Sequence, residues 1–316
     1  MRIVVTGVAG FIGSTLAERL IRDGHHVIGI DAFTDYYPRA IKEANLTTLR
    51  TSPRFELVEA DLSEVDLAPF VDGTDAIFHQ AAQAGVRASW GASFEVYTRW
   101  NILATQRLLE AVKGSQVRRF VYASSSSVYG DTTDLPMRET SRPMPFSPYG
   151  VTKLAAEHLV ELYRHNFGVS TVSLRYFTVY GPRQRPDMAF HKFMRALIAD
   201  QPLTVFGEGN QTRDFTFVDD IVEANVLSLA DGVEGVYNIG GGSRVTLKEA
   251  LETLGRVSGK KLRLDNIEEQ AGDVKHTSAD TSRAREKLGY APRVTLEEGL
   301  ARELAWLSNA AYLRAT

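Results

Sequence analysis

The sequence contains no cysteine, which excludes disulfides, thiolate zinc sites and a cysteine nucleophile, and leaves the redox compartment only weakly indicated. Its seven histidines are scattered, without the close spacing of a metal-ligand cluster. Neither sign of charge dominates. The 36 lysines and arginines against 39 aspartates and glutamates give a formal net charge of -3. There is thus no general attraction for nucleic acid or an anionic membrane, and an anionic partner must be small and locally held. No apolar run is long enough to span a bilayer, and Met1 runs directly into the strand-like Arg2-Ile-Val-Val-Thr6, leaving no room for a signal peptide. A cytoplasmic protein is the simplest expectation. Internal repeats, long linkers and low-complexity tracts are missing too. What is present is an ordinary globular composition, 316 residues of which 44% are hydrophobic and 24% charged. That suits one large unit or two interleaved lobes around a substantial core.

Short β-rich runs recur at Ile3 to Val5, His26 to Ile30, Phe55 to Val58, Ala76 to Phe78, Phe120 to Tyr122 and Thr171 to Leu174. Between them, Phe11 to Arg22, Val96 to Val112 and Ala155 to Phe167 repeat apolar residues three and four apart, as one buried helix face requires. Strands alternating with helices predict an α/β fold, a doubly wound parallel sheet of the Rossmann type. After Arg175 the rhythm breaks into Gly-, Pro- and Arg-rich loops, with helices expected at Ala189 to Ile198 and Leu247 to Arg256. This predicts a second, smaller mixed α/β lobe. The division expected is residues 1–176 plus about 213–240 for a dinucleotide-binding domain, and about 177–212 plus 241–316 for a substrate domain.

Thr6-Gly-Val-Ala-Gly-Phe-Ile-Gly13 follows the first strand and opens the first helix. Gly7, Gly10 and Gly13, with Phe11 and Ile12 between the last two, would allow a tight turn, close approach to a pyrophosphate and close helix packing. A glycine triplet alone also fits an ordinary turn. Eighteen residues beyond Gly13 the second strand ends in Asp31, where a carboxylate binds both ribose hydroxyls of NAD and repels the extra phosphate of NADP. The cofactor expected is therefore NAD. Asp61-Leu62, after the third strand, would present an edge to adenine or cap the next helix. Ala81-Ala82 closes the fourth strand with small residues that let a cofactor pass, and His79 beside them reads as packed structure.

Ala123-Ser-Ser-Ser-Ser-Val-Tyr-Gly130 crowds four hydroxyls at the end of a strand with no carboxylate among them. Downstream, Tyr149-Gly-Val-Thr-Lys153 sets a phenol and an ammonium one helical turn apart. Lys153 and a positive nicotinamide would favour the phenolate, so Tyr149 would remove a hydroxyl proton while hydride leaves the adjoining carbon. With Thr6 to Gly13, Asp31, Ala81-Ala82, Tyr176-Phe-Thr-Val-Tyr-Gly-Pro182 and Thr212-Arg-Asp-Phe215, the chain resembles, over essentially its whole length, the extended short-chain dehydrogenase/reductase family. Within it the likeness is to nucleotide-sugar epimerases and dehydratases. The resemblance implies that Ser125 partners the catalytic Tyr149, with Ser124 structural. It also places Ser126 and Ser127 where dehydratases carry an Asp-Glu pair. Without that acid and base, dehydration is disfavoured and redox inversion at carbon 4 favoured, and the hydroxyls would suit a substrate carboxylate.

Gln83-Ala-Gly-Val-Arg87, Ser124 to Tyr129 and Tyr176 to Ala189 most resemble UDP-glucuronate 4-epimerases. The expectation carried by that likeness is NAD-dependent epimerisation of UDP-glucuronate to UDP-galacturonate through a transient 4-keto sugar, in a homodimer joined through the helices near Val96 to Val112 and Ala155 to Phe167. A UDP-sugar would meet Gly85, Arg87, Ser125, Ser126, Ser127, Tyr149 and Thr178. Arg185 would hold the carboxylate as a fork, while Arg183 reads equally as a solvated loop residue. Arg213 would bind the pyrophosphate and Asp273 the uridine ribose. Gln270 departs from the family pattern, which has Arg there as a second phosphate ligand, and Arg87 is a candidate substitute. Leu203-Thr-Val-Phe206 would line the uracil or form an apolar edge strand. Alternatives are a UDP-glucuronate decarboxylase, a neutral-hexose 4-epimerase and, in another class, a redox-sensing binding module without turnover.

Overall fold

A computed structural model of the chain describes residues 1–268 and 274–309. Its centre is a sheet of seven strands: β1 (Arg2–Thr6), β2 (His26–Asp31), β3 (Phe55–Glu59), β4 (Ala76–His79), β5 (Arg119–Ser125), β6 (Thr171–Tyr176) and a later strand, Gly235–Ile239. All neighbours pair in parallel, in the order β3-β2-β1-β4-β5-β6 with Gly235–Ile239 at the far edge. The period of two is visible in the burial. Ile3 and Val5 of β1 and Phe78 of β4 join one apolar cluster, whereas Val4 and Ile77 join another on the opposite face. Both faces are therefore covered, which is what a parallel sheet built by helical crossovers requires.

Helix α1 (Phe11–Arg22) covers the first face, and the α2 (Arg39–Asn45) and α3 (Ala68–Val71) helices follow β2 and β3. The helix expected from Val96 to Val112 is interrupted. α4 (Phe94–Tyr97) passes through a π-helical turn, Thr98–Leu103, into α5 (Ala104–Val112). The cause lies in Asn101, 1% exposed, whose side chain bonds the Gln83 backbone twice and Thr152 Oγ1 once. Such an insertion is a usual origin of π bulges. α6 (Pro148–Phe167) is a 20-residue helix with Pro at its first position, Ser147 as N-cap and Gly168 at φ +68° ending it.

Beyond β6 the elements are shorter. They are β7 (Val179–Tyr180), α7 (Ala189–Ile198), β8 (Leu203–Phe206), β9 (Thr212–Asp214), β10 (Thr216–Phe217), α8 (Val218–Leu227), β11, the Gly235–Ile239 edge strand, β12 (Arg244–Thr246), α9 (Leu247–Ser258), β13 (Leu264–Ile267), α10 (Ser282–Leu288) and α11 (Leu296–Leu307). Three two-stranded pairs stand apart from the main sheet: β7 with β10, β9 with β12, and β8 with β13. Helices α7 and α9 pack against α11. No helix among the described residues is long and apolar enough to cross a membrane.

Candidate active site

The strand order reverses between β1 and β4, so their carboxyl ends part and leave a crevice. A cleft of about 220 Å³ occupies that place. Gly7 follows β1 at φ +68°, and a Cβ there would stand 2.8 Å from Ala81 Cα. Only glycine permits both the left-handed turn and this approach. Gly10, Phe11, Ile12 and Gly13 continue the wall into the start of α1, where no side chain caps the helix. The first N–H groups of a helix lack partners within it, so this end offers donors to a phosphate. Ala81 and Ala82 line the cleft from the segment just past β4, which ends at His79 and not at the alanines.

Asp31 lines the cleft at the end of β2. Its Oδ2 accepts the Ala9 N–H at 3.0 Å and its Oδ1 the Phe33 N–H at 2.8 Å. Each oxygen keeps a lone pair, a fit for two ribose hydroxyls. Burial pushes this carboxyl above its ordinary value against the pull of Lys42 and the two backbone donors. Lys42 also lines the cleft, its Nζ donating to the Thr34 carbonyl at 2.8 Å. Asp61 and Leu62 border the same end. Asp61 is tied into a local turn, its Oδ1 accepting Ser63 N–H at 2.8 Å and Ser63 Oγ–H at 2.7 Å, while Trp100 Nε1 donates to Oδ2 at 3.0 Å. An uncapped helix start, a glycine turn in close approach to the next strand end and a part-buried carboxylate with spare lone pairs together fit a dinucleotide. His79 is as expected from sequence. It is fully buried between Thr6 and Thr105 hydroxyls at 2.8 and 2.9 Å, and burial drives its imidazole down to about 3, so it stays neutral.

Beside this dinucleotide end stand the groups of the chemistry. β5 ends at Ser125 and turns through a 3₁₀ segment, Ser126–Val128, in which Ser127 N–H bonds Ser125 Oγ at 3.1 Å. α6 sits directly on that turn, close enough that a Cβ at Gly150 would lie 2.6 Å from the Ser127 carbonyl oxygen. The approach brings Tyr149 beside Ser125. Burial raises the Tyr149 phenol above its usual value, while the Ser125 hydroxyl and the Arg185 charge draw it down. Lys153, one turn along, is 3% exposed with its Nζ 4.4 Å over the Tyr122 ring. Burial brings its ammonium down to about 7, opposed by Glu157. Ser124, expected to be structural, borders the cleft and donates to Glu157 Oε2 at 2.6 Å.

Tyr149, Lys153 and Arg185 line the cleft together with the dinucleotide residues. Gly85, Arg87, Ser125, Ser126, Ser127, Thr178 and Arg213 do not line it. Gly85 lies on the loop after β4, its carbonyl accepting the Tyr97 hydroxyl at 2.8 Å. Arg87 stacks 3.9 Å over the Phe206 ring of β8, and Arg213 Nη1 reaches the carbonyls of Thr212 and Lys275 at 2.9 and 3.2 Å. Thr178 joins β6 to β7, its carbonyl accepting Thr216 N–H at 2.9 Å. Asp273 and Gln270 lie outside the described residues. Arg183 is neither solvated nor at the cleft; it binds Glu18 at 2.7 Å and Ser14 at 3.3 Å on α1. Arg185 has its side fork engaged already, Nε and Nη2 each 2.9 Å from the Asp187 carboxylate. The sequence reading missed Tyr36, Lys42, Gln80, Trp100 and Tyr176, all lining the cleft. Their only signal is a position just past a strand end or on the helix facing it.

A doubly wound sheet with a glycine turn, a carboxylate at the end of β2, and Tyr149 and Lys153 in the cleft at its switch point defines a dinucleotide enzyme of the extended short-chain dehydrogenase/reductase type. Residues 3–240 match the NAD dependent epimerase/dehydratase family, and the chain belongs to that family. It is 45% identical over 312 residues, 98% of either chain, to the uncharacterized UDP-glucose epimerase YtcB of Bacillus subtilis. To the UDP-glucuronate 4-epimerase of Thermodesulfobacterium geofontis it is 38% identical over 307 residues, 96% of this chain and 95% of that one. Among solved structures, the UDP-glucuronic acid 4-epimerase of Bacillus cereus in complex with UDP-glucuronic acid and NAD matches with a TM-score of 0.94 and 43% identity, over 97% of this chain and 99% of that chain.

Proposed function

We propose that the protein is an NAD-dependent 4-epimerase interconverting UDP-glucuronate and UDP-galacturonate. The observation that carries the reading is Tyr149 beside Ser125, in one cleft with Lys153 and Arg185, where the positions after Ser125 hold serines instead of a dehydrating acid-base pair. NAD, the cofactor that fits the glycine turn, α1 and Asp31, supplies a reversible hydride acceptor when bound. Tyr149 takes the proton of the sugar's 4-hydroxyl through its contact with Ser125 as carbon 4 becomes a ketone, holds it while the sugar turns over, and returns it to the same oxygen. Lys153 and Arg185 stabilise the phenolate between those two moments. The free end fork of Arg185 and the hydroxyls of Ser126, Ser127 and Thr178 are the groups assigned to the carboxylate.

Residues 1–176 with about 213–240 are assigned to the dinucleotide, and the remainder, with Gly85, Arg87 and Arg213, to the UDP-sugar. The exposed apolar side chains Val96, Leu103, Leu162 and Phe167, on the helices expected to pair, support a homodimer. The engaged side fork of Arg185 favours a second reading, a neutral-hexose epimerase. Incubation with UDP-glucuronate, UDP-glucose and UDP-galactose followed by NMR of the products separates the two. Formation of UDP-galacturonate without net NADH supports the first, and turnover of the hexoses alone supports the second.

A further inference from the structure

Arg185 offers two forks, the side edge Nε–Nη2 and the end edge Nη1–Nη2. Asp187 occupies the side edge with both oxygens at 2.9 Å, and it is the only carboxylate among the described residues paired with this guanidinium. Asp187 is itself held. The Tyr36 hydroxyl donates to its Oδ2 at 3.1 Å, and Tyr36, whose ring lies 5.8 Å from the guanidinium, stands against the Gly85 backbone. Burial works against the Asp187 charge, but Arg185 and Tyr36 outweigh it and keep the carboxyl below its ordinary value. The cationic group facing the sugar end of the cleft is therefore one half of an ion pair that is neutral as a unit.

A carboxylate approaching this pair gains bonds to the end fork but meets the charge of Asp187 through the same guanidinium. A hydroxymethyl group gains less from the fork and is not repelled. Discrimination between the two is the difference of those affinities. We propose that Asp187 is a positioning residue that acts through Arg185 as an internal counter-carboxylate, lowering the preference for UDP-uronates and admitting UDP-hexoses to the same site. The inference rests on the reading of the cleft as a UDP-sugar 4-epimerase site with Arg185 at carbon 6 of the sugar.

The test measures kcat and KM for UDP-glucuronate and UDP-glucose, and the affinities for both in the presence of NAD, in the wild type, Asp187→Asn and Asp187→Glu. Arg185 also acts on Tyr149, so Asp187→Asn alters the phenol for both sugars alike, and the ratio of the two kcat/KM values cancels that shared effect. The Asn variant is expected to raise the uronate-to-hexose ratio by at least about threefold, the scale of one partly exposed charge beside another. The change should lie mainly in a lower KM for UDP-glucuronate. The Glu variant, which keeps the charge, should stay within about twofold of wild type. An unchanged or reduced ratio in Asp187→Asn overturns the proposal, because Asp187 then only holds the guanidinium in place. So does a Glu variant that behaves like Asn. If the wild type turns over UDP-glucose but not UDP-glucuronate, the proposed substrate fails while this inference still requires Asp187→Asn to gain UDP-glucuronate affinity, and no gain overturns it.

Discussion

Beneath the catalytic helix lies a buried pair whose disruption has two separable consequences. Glu157 stands one turn after Lys153 on α6, and its carboxylate takes both oxygens' worth of the Arg175 fork, at 3.0 and 2.6 Å, with Ser124 Oγ adding a third bond. The side chains are 4% and 3% exposed. Burial works against the Arg175 charge, yet the bonds and charge of Glu157 hold the guanidinium above its ordinary value. Glu157→Gln keeps the shape, removes the charge and leaves Arg175 buried without its counter-ion. Breaking such a pair from one side costs about 3–5 kcal/mol. At roughly 2–4 °C per kcal/mol for a domain of this order of size, the melting temperature should fall by about 6–20 °C. The double replacement Glu157→Leu with Arg175→Met should recover most of the loss, since it removes both desolvated charges.

The second consequence is chemical. Burial brings Lys153 down to about 7, and Glu157 is the charge that resists it. Without Glu157 the ammonium loses its proton at still lower pH. If the ammonium is needed, the descending limb of kcat/KM against pH should move to lower pH in Glu157→Gln, and the double variant should show the same shift although its stability is restored. Thermal unfolding and a pH-rate profile on the three proteins measure both effects. A stability loss below about 1 kcal/mol, or a limb that stays in place, refutes the reasoning.

Tyr149→Phe should bind cofactor but lose turnover by at least about 100-fold, the lower range for general acid-base catalysis, with Ser125→Ala milder; near wild-type turnover would remove Tyr149 as the base. Asp31→Ala should improve NADP binding relative to NAD, because it deletes the repelling carboxylate and leaves Lys42 beside the ribose site; titration with both cofactors decides it. Arg185→Ala should weaken UDP-glucuronate binding far more than NAD binding, and an equal effect on both would place the carboxylate elsewhere. Glu303 is buried with Oε1 unpaired and Oε2 accepting Gly181 N–H at 2.8 Å, and burial pushes its carboxyl well above the usual value. The stability tied to its proton is complete below the unfolded carboxyl's value near pH 4.3 and is lost as pH rises through the folded one. Glu303→Gln should therefore gain in melting temperature over wild type as pH rises from about 5 to 8, and a gap that does not widen would show that Glu303 is not protonated in the fold.

What could be read from the sequence is what short spacing determines. Thr6 to Gly13 is contiguous, so strand end, glycine turn and helix start could be placed together, and α1 runs from Phe11 to Arg22 as its apolar period required. Asp31 is legible as the last residue of its strand and Ala81-Ala82 as residues that follow one closely, because parallel strands deliver their carboxyl ends to one side of a sheet. Tyr149 and Lys153 needed only the helical period. Lys42 and Trp100 reach the same cleft from the flanking elements α2 and the π turn, where no local pattern separates a lining residue from a solvated one.

The choice of partners obeys a different rule. Asn101 sits in a helical pattern that counts as continuous by apolar period, yet its amide is satisfied by Gln83, 18 residues back, and Thr152, 51 residues ahead. Satisfying a buried amide across that separation outweighs regular α-helical pairing, so the π turn follows from tertiary contact and not from the helix itself. Arg185 is the reverse case. Its partner is two residues away, but a guanidinium near a carboxylate in sequence is free to point elsewhere. Here Tyr36, brought in from beyond β2, bonds Asp187 and fixes which edge of Arg185 is engaged and which remains. The glycine turn and the Tyr149–Lys153 pair are thus written in spacings of four residues or fewer. In the proposal for Asp187, the choice between a charged and a neutral sugar depends on a contact spanning 151 residues, where substitutions at Tyr36 or Asp187 can retune the site while Tyr149 and Lys153 are kept.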